Sequence, residues 1–294
     1  MNALDIARRL RALALDPDEY RINAGGAMVL YGLRRDTHDL DIWCTRKLGD
    51  SLAERYGFET AEDGARRFAP LPDVEIYENM QPGETVRLNG IPVASLREVL
   101  AFKRKLNREK DQRDIAVLEA ALRAQESEIT VSPMRPEDIP GCTDIYNFYI
   151  ENTTVTLEEA PLTAGEFAGR MERIGREYPC LAARSGGGTV VGYAYLDVFN
   201  PRSAYRCTAD LTLYIHPALR RSGAGQRLLD AVEPLARAQG IENIVSIITA
   251  DNAASLAFHR KNGFADVGTM RAVACKFGEY QDVSFLIKHL GGKG

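Results

Sequence analysis

The sequence predicts a two-domain protein of the α/β (α+β) class, and three observations carry that expectation. A chain of 294 residues exceeds what one hydrophobic core usually serves. From Ile129 onward, strand-like and helix-like segments alternate, the pattern of a mixed sheet with helices on both faces. A polar stretch without apolar periodicity, Gln125 to Glu128, separates that half from a first half that begins and ends in helix-like segments. These features set the expected domains at 1–125 and 126–294.

In the first half, Gly25-Gly26 opens an apolar helix, Ala27 to Leu33, and Thr37-His38-Asp39-Leu40-Asp41-Ile42 reads as a strand. Asp73-Val74-Glu75-Ile76 reads as another, and one long helix is expected from Ser95 to Arg123. The second half opens on a strand, Ile129 to Met134, followed by helices Pro136 to Ile150 and Thr163 to Glu177. Strands are expected at Leu181 to Arg184, Val190 to Val198 and Cys207 to Ile215, then a helix Ala224 to Gln239. A strand Asn243 to Thr249, a helix Ala253 to Asn262 and two closing strands, Ala265 to Lys276 and Gln281 to Lys288, complete the pattern. Pro234 lies inside a helical run, where an interior proline costs roughly 3 kcal/mol, so a kink or a shorter helix is expected there.

Composition narrows the function classes. With 45% hydrophobic and 27% charged residues, the chain is of ordinary globular type, and no apolar run reaches the ~20 residues that a membrane span needs. Met1 to Leu10 mixes Asp5, Arg8 and Arg9 into a helical pattern, unlike a cleavable leader, so a cytoplasmic location is expected. The five cysteines are scattered and odd in number, which argues against a disulfide framework and a zinc site. Net charge is −4, and neither half is basic enough to point to nucleic acid.

The most informative segment runs from the strand Asp210 to Ile215 through His216-Pro217 into Arg220-Arg221-Ser222-Gly223-Ala224-Gly225 and a helix. Glycines without side chains let backbone amides at a helix start approach an anion closely, and Arg220 and Arg221 add positive charge. An ordinary strand-to-helix turn is the competing explanation. Asn252 follows, opening a helix that carries Phe258-His259 and ends at Asn262-Gly263-Phe264.

Together these segments resemble the GNAT acetyltransferase superfamily: Arg-x-x-Gly-x-Gly for a pyrophosphate, then Asn, an aromatic pair position and Gly-Phe. From Met134 to His289 the flanks are similar to the phosphinothricin and methionine sulfoximine N-acetyltransferases. The matching stretches are Ile145-Tyr146-Asn147, Asn152 to Glu158, Gly192-Tyr193-Ala194-Tyr195, Pro201 to Arg206 and Gly268-Thr269-Met270-Arg271. The resemblance implies acetyl-CoA as co-substrate, a small amino-acid-like amine as acceptor and a homodimer. It implies cofactor contacts from Leu213, Tyr214, Ile215, Arg220, Arg221, Ser222, Gly223, Ala224, Gly225, Asn252 and Ser255. A backbone amide between Leu213 and Ile215 would meet the thioester oxygen as it gains charge.

Acetyl transfer needs a neutral amine, while an amino acid's amine is protonated near pH 7, so a base or a water path is required. The resemblance implies a Glu as that base; the matching position here is Asp210, shorter by one carbon–carbon bond, roughly 1.5 Å. Either a water bridges the gap or the substrate sits differently, and a solvated strand-end Asp is the alternative. His259 matches the position of a general acid, with a packing histidine as its alternative. Arg202 matches a guanidinium that would clamp a substrate carboxylate or phosphinate. Thr153, Thr154 and Glu158 fall on the loop implied to cover the substrate, and Lys276 and Asp282 on the closing hairpin.

In the first half, strand alternation puts Asp39 and Asp41 on one face, where paired carboxylates can hold magnesium against nucleotide phosphates, with Glu75 as a third. With Gly25-Gly26 and the late Lys103, Arg108, Lys110, Asp111 and Asp114, this resembles the minimal nucleotidyltransferase superfamily. A nucleotide-binding or a degenerate docking domain follows from that resemblance. For the whole chain, a bifunctional aminoglycoside acetyl- and nucleotidyltransferase and a catalytically weak acetyl-CoA sensor stand as the alternatives.

Overall fold

In the computed structural model, which describes residues 1–80 and 83–291, the ladders sort the described strands into two separate seven-stranded sheets. Each sheet belongs to one of two units, Met1–Arg123 and Ala124–Gly294.

The first unit runs α1 (Ala3–Leu13), β1 (Tyr20–Ile22), α2 (Ala24–Leu30), β2 (Leu40–Cys44), α3 (Arg46–Tyr56), β3 (Glu59–Thr60), β4 (Arg66–Leu71), β5 (Val74–Tyr77), β6 (Thr85–Leu88), β7 (Ile91–Ala94), α4 (Leu96–Leu106) and α5 (Gln112–Glu126). Its sheet order is β3-β4-β5-β2-β1-β7-β6. Three expectations change here. Gly25 and Gly26 lie inside α2, not before it; a Cβ on Gly26 would stand 2.7 Å from the Leu40 side chain and 3.0 Å from that of Ile22, so a glycine there lets the helix pack close to the sheet. Asp39 precedes β2 instead of lying in it. The expected helix from Ser95 to Arg123 is two helices: a Ser95–Glu98 capping box starts α4, and Asn107 in the left-handed region ends it.

The second unit continues with β8 (Ile129–Pro133), α6 (Ile139–Asn152), α7 (Ala164–Gly175), β9 (Cys180–Ser185), β10 (Val190–Val198), β11 (Thr208–Ile215), α8 (Ala224–Ala238), β12 (Asn243–Thr249), α9 (Ala253–Lys261), β13 (Ala265–Lys276) and β14 (Glu279–His289). Sheet order is β13-β14-β12-β11-β10-β9-β8. Pro234 does not shorten α8, which runs past it by a further turn. The helix before β9 starts on a capping box between Thr163 and Glu166. A buried cluster fills the space between α6, α7 and β10, with Tyr146, Tyr149, Phe167, Met171, Tyr193 and Tyr195 among its members.

One feature of this sheet positions the site. β11 pairs in parallel with β12 only from Thr208 to Asp210, against Asn243 to Val245. Beyond that point β11 follows β10 to Ile215, whereas β12 follows β14 to Thr249. The two central strands part in a V whose vertex carries Asp210. Among the described residues, no helix is long and apolar enough to cross a membrane.

Candidate active site

At the vertex, Asp210 Oδ1 is buried without a hydrogen-bond partner. Burial first, and Asp197 second, push its carboxyl up to about 6. Asp197 stands directly across from it on β10. An orphaned carboxylate oxygen is costly in a sheet interior unless a ligand or solvent answers it, which makes Asp210 the residue most plainly waiting for a proton.

The far end of β11 leads into the turn. Tyr149, from α6, donates its hydroxyl to the Ile215 carbonyl at 2.6 Å, and Arg220 Nη2 donates to the same hydroxyl at 3.3 Å. Arg221 and Gly223 both take positive φ, 68° and 82°. Gly223 is the N-cap of α8 and supplies no side-chain cap, so the α8 amides that follow Ala224 are left for another acceptor. Ser222 Oγ accepts from Ala224 N at 3.4 Å. On β10, a Cβ at Gly192 would meet the Tyr214 carbonyl at 2.6 Å, so only glycine lets the two strands close behind the turn. A diphosphate fits this turn: bare amides, two guanidinium groups and no bulky side chain.

On α9, Asn252 Oδ1 caps the helix through Ser255 N at 3.2 Å. His259 is buried between the rings of Phe258 and Phe264. Its Nδ1 lies 2.8 Å from the Ser255 carbonyl, which directs that nitrogen's proton inward and leaves Nε2 as the free face. Burial lowers its pKa, so the ring is neutral near pH 7. Among the described residues no hydrogen bond joins His259 to Asp210.

The expected substrate contacts are placed differently. Arg202 stands exposed on the loop before β11. The others are engaged within the protein: Thr153 Oγ1 donates to the Tyr149 carbonyl at 2.8 Å, and Thr154 Oγ1 to Asp251 Oδ2 at 2.7 Å. Glu158 pairs with Arg170 at 2.8 Å. Lys276, fully buried, donates to the Thr156 carbonyl at 2.7 Å, and burial pushes its ammonium down to about 8. Asp282 accepts from Ala272 N at 2.8 Å. Four tethers therefore hold the loop 153–158 in one conformation. Sequence reasoning passed over Tyr149, Asp197, Arg170 and Asp251; the register of β10 against β11 places Asp197, and a helical i, i+3 count alone does not separate Tyr149 from its aromatic neighbours.

In the first unit, Asp41 is paired in register with Glu75, and burial, then Asp39 and Glu75, push it up to about 6 against the opposing pull of Lys103 and Arg108. The expected magnesium set of Asp39, Asp41 and Glu75 is not assembled. Arg67 and Tyr77 hold the two Glu75 oxygens, and among the described residues no group of three His, Cys, Asp or Glu side chains is arranged for a metal ion. Lys103 is itself consumed by Asp111 at 2.9 Å and Asp114 at 2.8 Å, and Arg108 by Asp111 at 2.7 Å.

The second unit has relatives among known proteins. The family model of the acetyltransferase (GNAT) family matches residues 142–264. The chain is 36% identical over 150 residues, 51% of its length, to an L-methionine sulfoximine/L-methionine sulfone acetyltransferase of Pseudomonas paraeruginosa, covering 87% of that protein. The chain belongs to the GNAT acetyltransferase family. It is an acetyl-CoA-dependent N-acetyltransferase. It is also 33% identical to a phosphinothricin N-acetyltransferase of Streptomyces viridochromogenes, over 53% of this chain and 85% of that one. Among solved structures, a phosphinothricin acetyltransferase from Sinorhizobium meliloti in complex with acetyl-CoA superposes with a TM-score of 0.53 at 33% identity, over 55% of this chain and 89% of that chain.

Proposed function

We propose that the second unit of this GNAT enzyme acetylates the primary amine of a small amino-acid-like molecule of the phosphinothricin or methionine sulfoximine kind, with Asp210 as the base. The carrying observation is the orphaned Asp210 carboxylate at the vertex of a V whose open end runs into an amide-lined turn. Names of the relatives supply the substrate class.

Acetyl-CoA supplies a thioester carbon open to attack. Arg220, Arg221 and the amides of Gly223, Ala224 and Gly225 would hold its diphosphate, Asn252 and Ser255 would line its path, and the Leu213–Ile215 backbone would face its carbonyl. Asp210 takes one proton from the substrate ammonium, leaving the nitrogen lone pair free. A carboxyl poised near 6 accepts that proton far more readily than an ordinary aspartate and is still ionised at pH 7. His259, neutral with its Nδ1 proton directed at the Ser255 carbonyl, has Nε2 as an acceptor, which would take the second proton that the nitrogen sheds after attack and pass it to the departing thiolate. The loop 153–158 and Arg202 would bound the amino-acid side, with Lys276 and Glu158 acting through the loop. Thiol release with acetyl-CoA over a panel of amino acids, phosphinothricin, methionine sulfoximine and aminoglycosides tests the assignment. Turnover of the sulfoximine or phosphinothricin is expected; tight acetyl-CoA binding with turnover of none would make the chain a sensor.

For the first unit, the register pairing of Asp41 with Glu75 and its coupling to Asp39 support a nucleotidyltransferase-like domain, in which a nucleotide would have to bind without the expected magnesium set. Calorimetry with ATP, with and without magnesium, should give binding that Asp39→Ala plus Asp41→Ala abolishes; equal binding by the double variant removes the proposal. A homodimer is supported by β13, exposed along nearly its whole length with Val267, Met270 and Val273 bare, and light scattering reads it directly.

A further inference from the structure

Asp210 does not stand alone on its sheet face. β10 and β11 are antiparallel, and Asp197 is its register partner, so the two side chains leave the same face of the sheet. Directly opposed residues place their Cβ atoms roughly 5 Å apart, and like charges so placed oppose one another. The two carboxylates differ in what surrounds them. Asp210 has an oxygen buried and unanswered. Asp197 keeps a quarter of its side chain in solvent, is bridged by Arg173 of α7 at 3.3 Å, and takes a hydrogen bond from Val198 N at 2.8 Å. In such an asymmetric pair the less solvated carboxyl is the one made the stronger base by its neighbour's charge.

We propose that Asp197 is a positioning residue for catalysis that acts through Asp210, its fixed negative charge raising the basicity of the vertex carboxylate toward the substrate ammonium. The inference rests on the assignment of Asp210 as base. The proton balance is simple: the ammonium gives one proton to Asp210, which becomes a carboxylic acid and returns that proton to bulk water before the next turnover, while Asp197 takes no part in the transfer.

Other titratable groups do not supply this field. Tyr178, before β9, and Cys180, on it, sense Asp197, and burial pushes both up, the thiol to about 11. Tyr195, two positions along β10, is pushed by burial to about 12. All three are neutral at working pH, and the β12 partner of Asp210 is Val245. Among the charged groups, Asp197 acts on Asp210 directly and Arg173 acts through its bridge to Asp197. They act in opposite directions, which gives the proposal a signed test.

The experiment is the pH profile of kcat/KM with acetyl-CoA saturating and methionine sulfoximine varied, for the full chain and three variants. In Asp197→Asn the acidic limb should move to lower pH by at least about half a unit, the shift that two charges roughly 5 Å apart produce even at the dielectric of water. Arg173→Gln should move it to higher pH, because the bridge no longer offsets Asp197. Asp210→Asn should remove the limb altogether. A limb that survives in Asp210→Asn overturns the base itself. A limb that vanishes there yet stays in place in both Asp197→Asn and Arg173→Gln leaves the base standing and overturns this inference. If Asp197→Asn fails to fold, the Arg173→Gln shift still decides it, since that side chain is exposed on α7.

Discussion

The two units each carry a half-buried aspartate pushed to about 6, and desolvation is the first cause in both. What surrounds them separates the sites. Around Asp41 the network is nearly closed: Glu75 is held by Arg67 and Tyr77, and Lys103 by Asp111 and Asp114. Around Asp210 it is open, with an unanswered oxygen, one like charge across the ladder and a parting of strands beside it. A raised carboxyl within a closed network is a cost of folding that its neighbours share. A raised carboxyl beside a gap is an unfinished set of contacts, and a substrate amine completes it.

The comparison breaks most visibly in turnover. Asp210→Asn should lower kcat at least about tenfold with acetyl-CoA affinity nearly unchanged, and His259→Ala should act in the same direction. Asp39→Ala plus Asp41→Ala should leave acetyl transfer as it was. Equal activity of Asp210→Asn and the parent would return Asp210 to the role of a solvated strand end.

Next in size is the turn. Gly223 sits at φ 82°, where a β-branched residue costs roughly 1–2 kcal/mol and adds a side chain to the turn that would meet the diphosphate. Gly223→Val should raise the acetyl-CoA KM about tenfold, with the amine KM little changed. An effect confined to the amine would move the cradle elsewhere.

A smaller effect is expected at Lys276. Its buried hydrogen bond to the Thr156 carbonyl tethers the loop 153–158. Lys276→Met should raise the amine KM several-fold at constant kcat, and Lys276→Arg should restore part of it. A fall in kcat with KM unchanged would place the ammonium on the reacting atoms instead.

How much of this was legible in the sequence follows from the range of each interaction. The strands and helices of the second unit are written in local periodicity and capping, as in Thr163–Glu166. The turn from Arg220 to Gly225 is equally local. In the first unit, Asn107 was passed over as a helix stop because its short side chain tolerates the left-handed region without a glycine to mark it. The partners of Thr154, Glu158 and Lys276 lie 97, 12 and 120 positions away, and no periodicity encodes such distances. Asp197 faces Asp210 across a connection of irregular length, so its register is set by the folded hairpin and not by the spacing of residues.

The smallest effect is thermodynamic, and its sign is fixed by linkage. The ordinary aspartate value is 3.8, and in the folded chain Asp210 stands at about 6, so the folded state holds this proton more tightly than the unfolded one. Its stabilising contribution is full below 3.8 and is lost as pH rises toward about 6. Two units correspond to about 3 kcal/mol as an upper bound, since relaxation and bound water reduce it. Asp210→Asn carries no such charge. It should therefore match the parent near pH 4 and melt a few degrees higher at pH 8, read as the transition of the second unit by differential scanning calorimetry. Because the same substitution should cost turnover, a variant that is both less active and more stable above pH 6 is the outcome expected of a carboxylate kept charged and unanswered for chemistry. A gap between variant and parent no larger at pH 8 than at pH 4 would mean that Asp210 is already solvated, and the open site at the vertex would close.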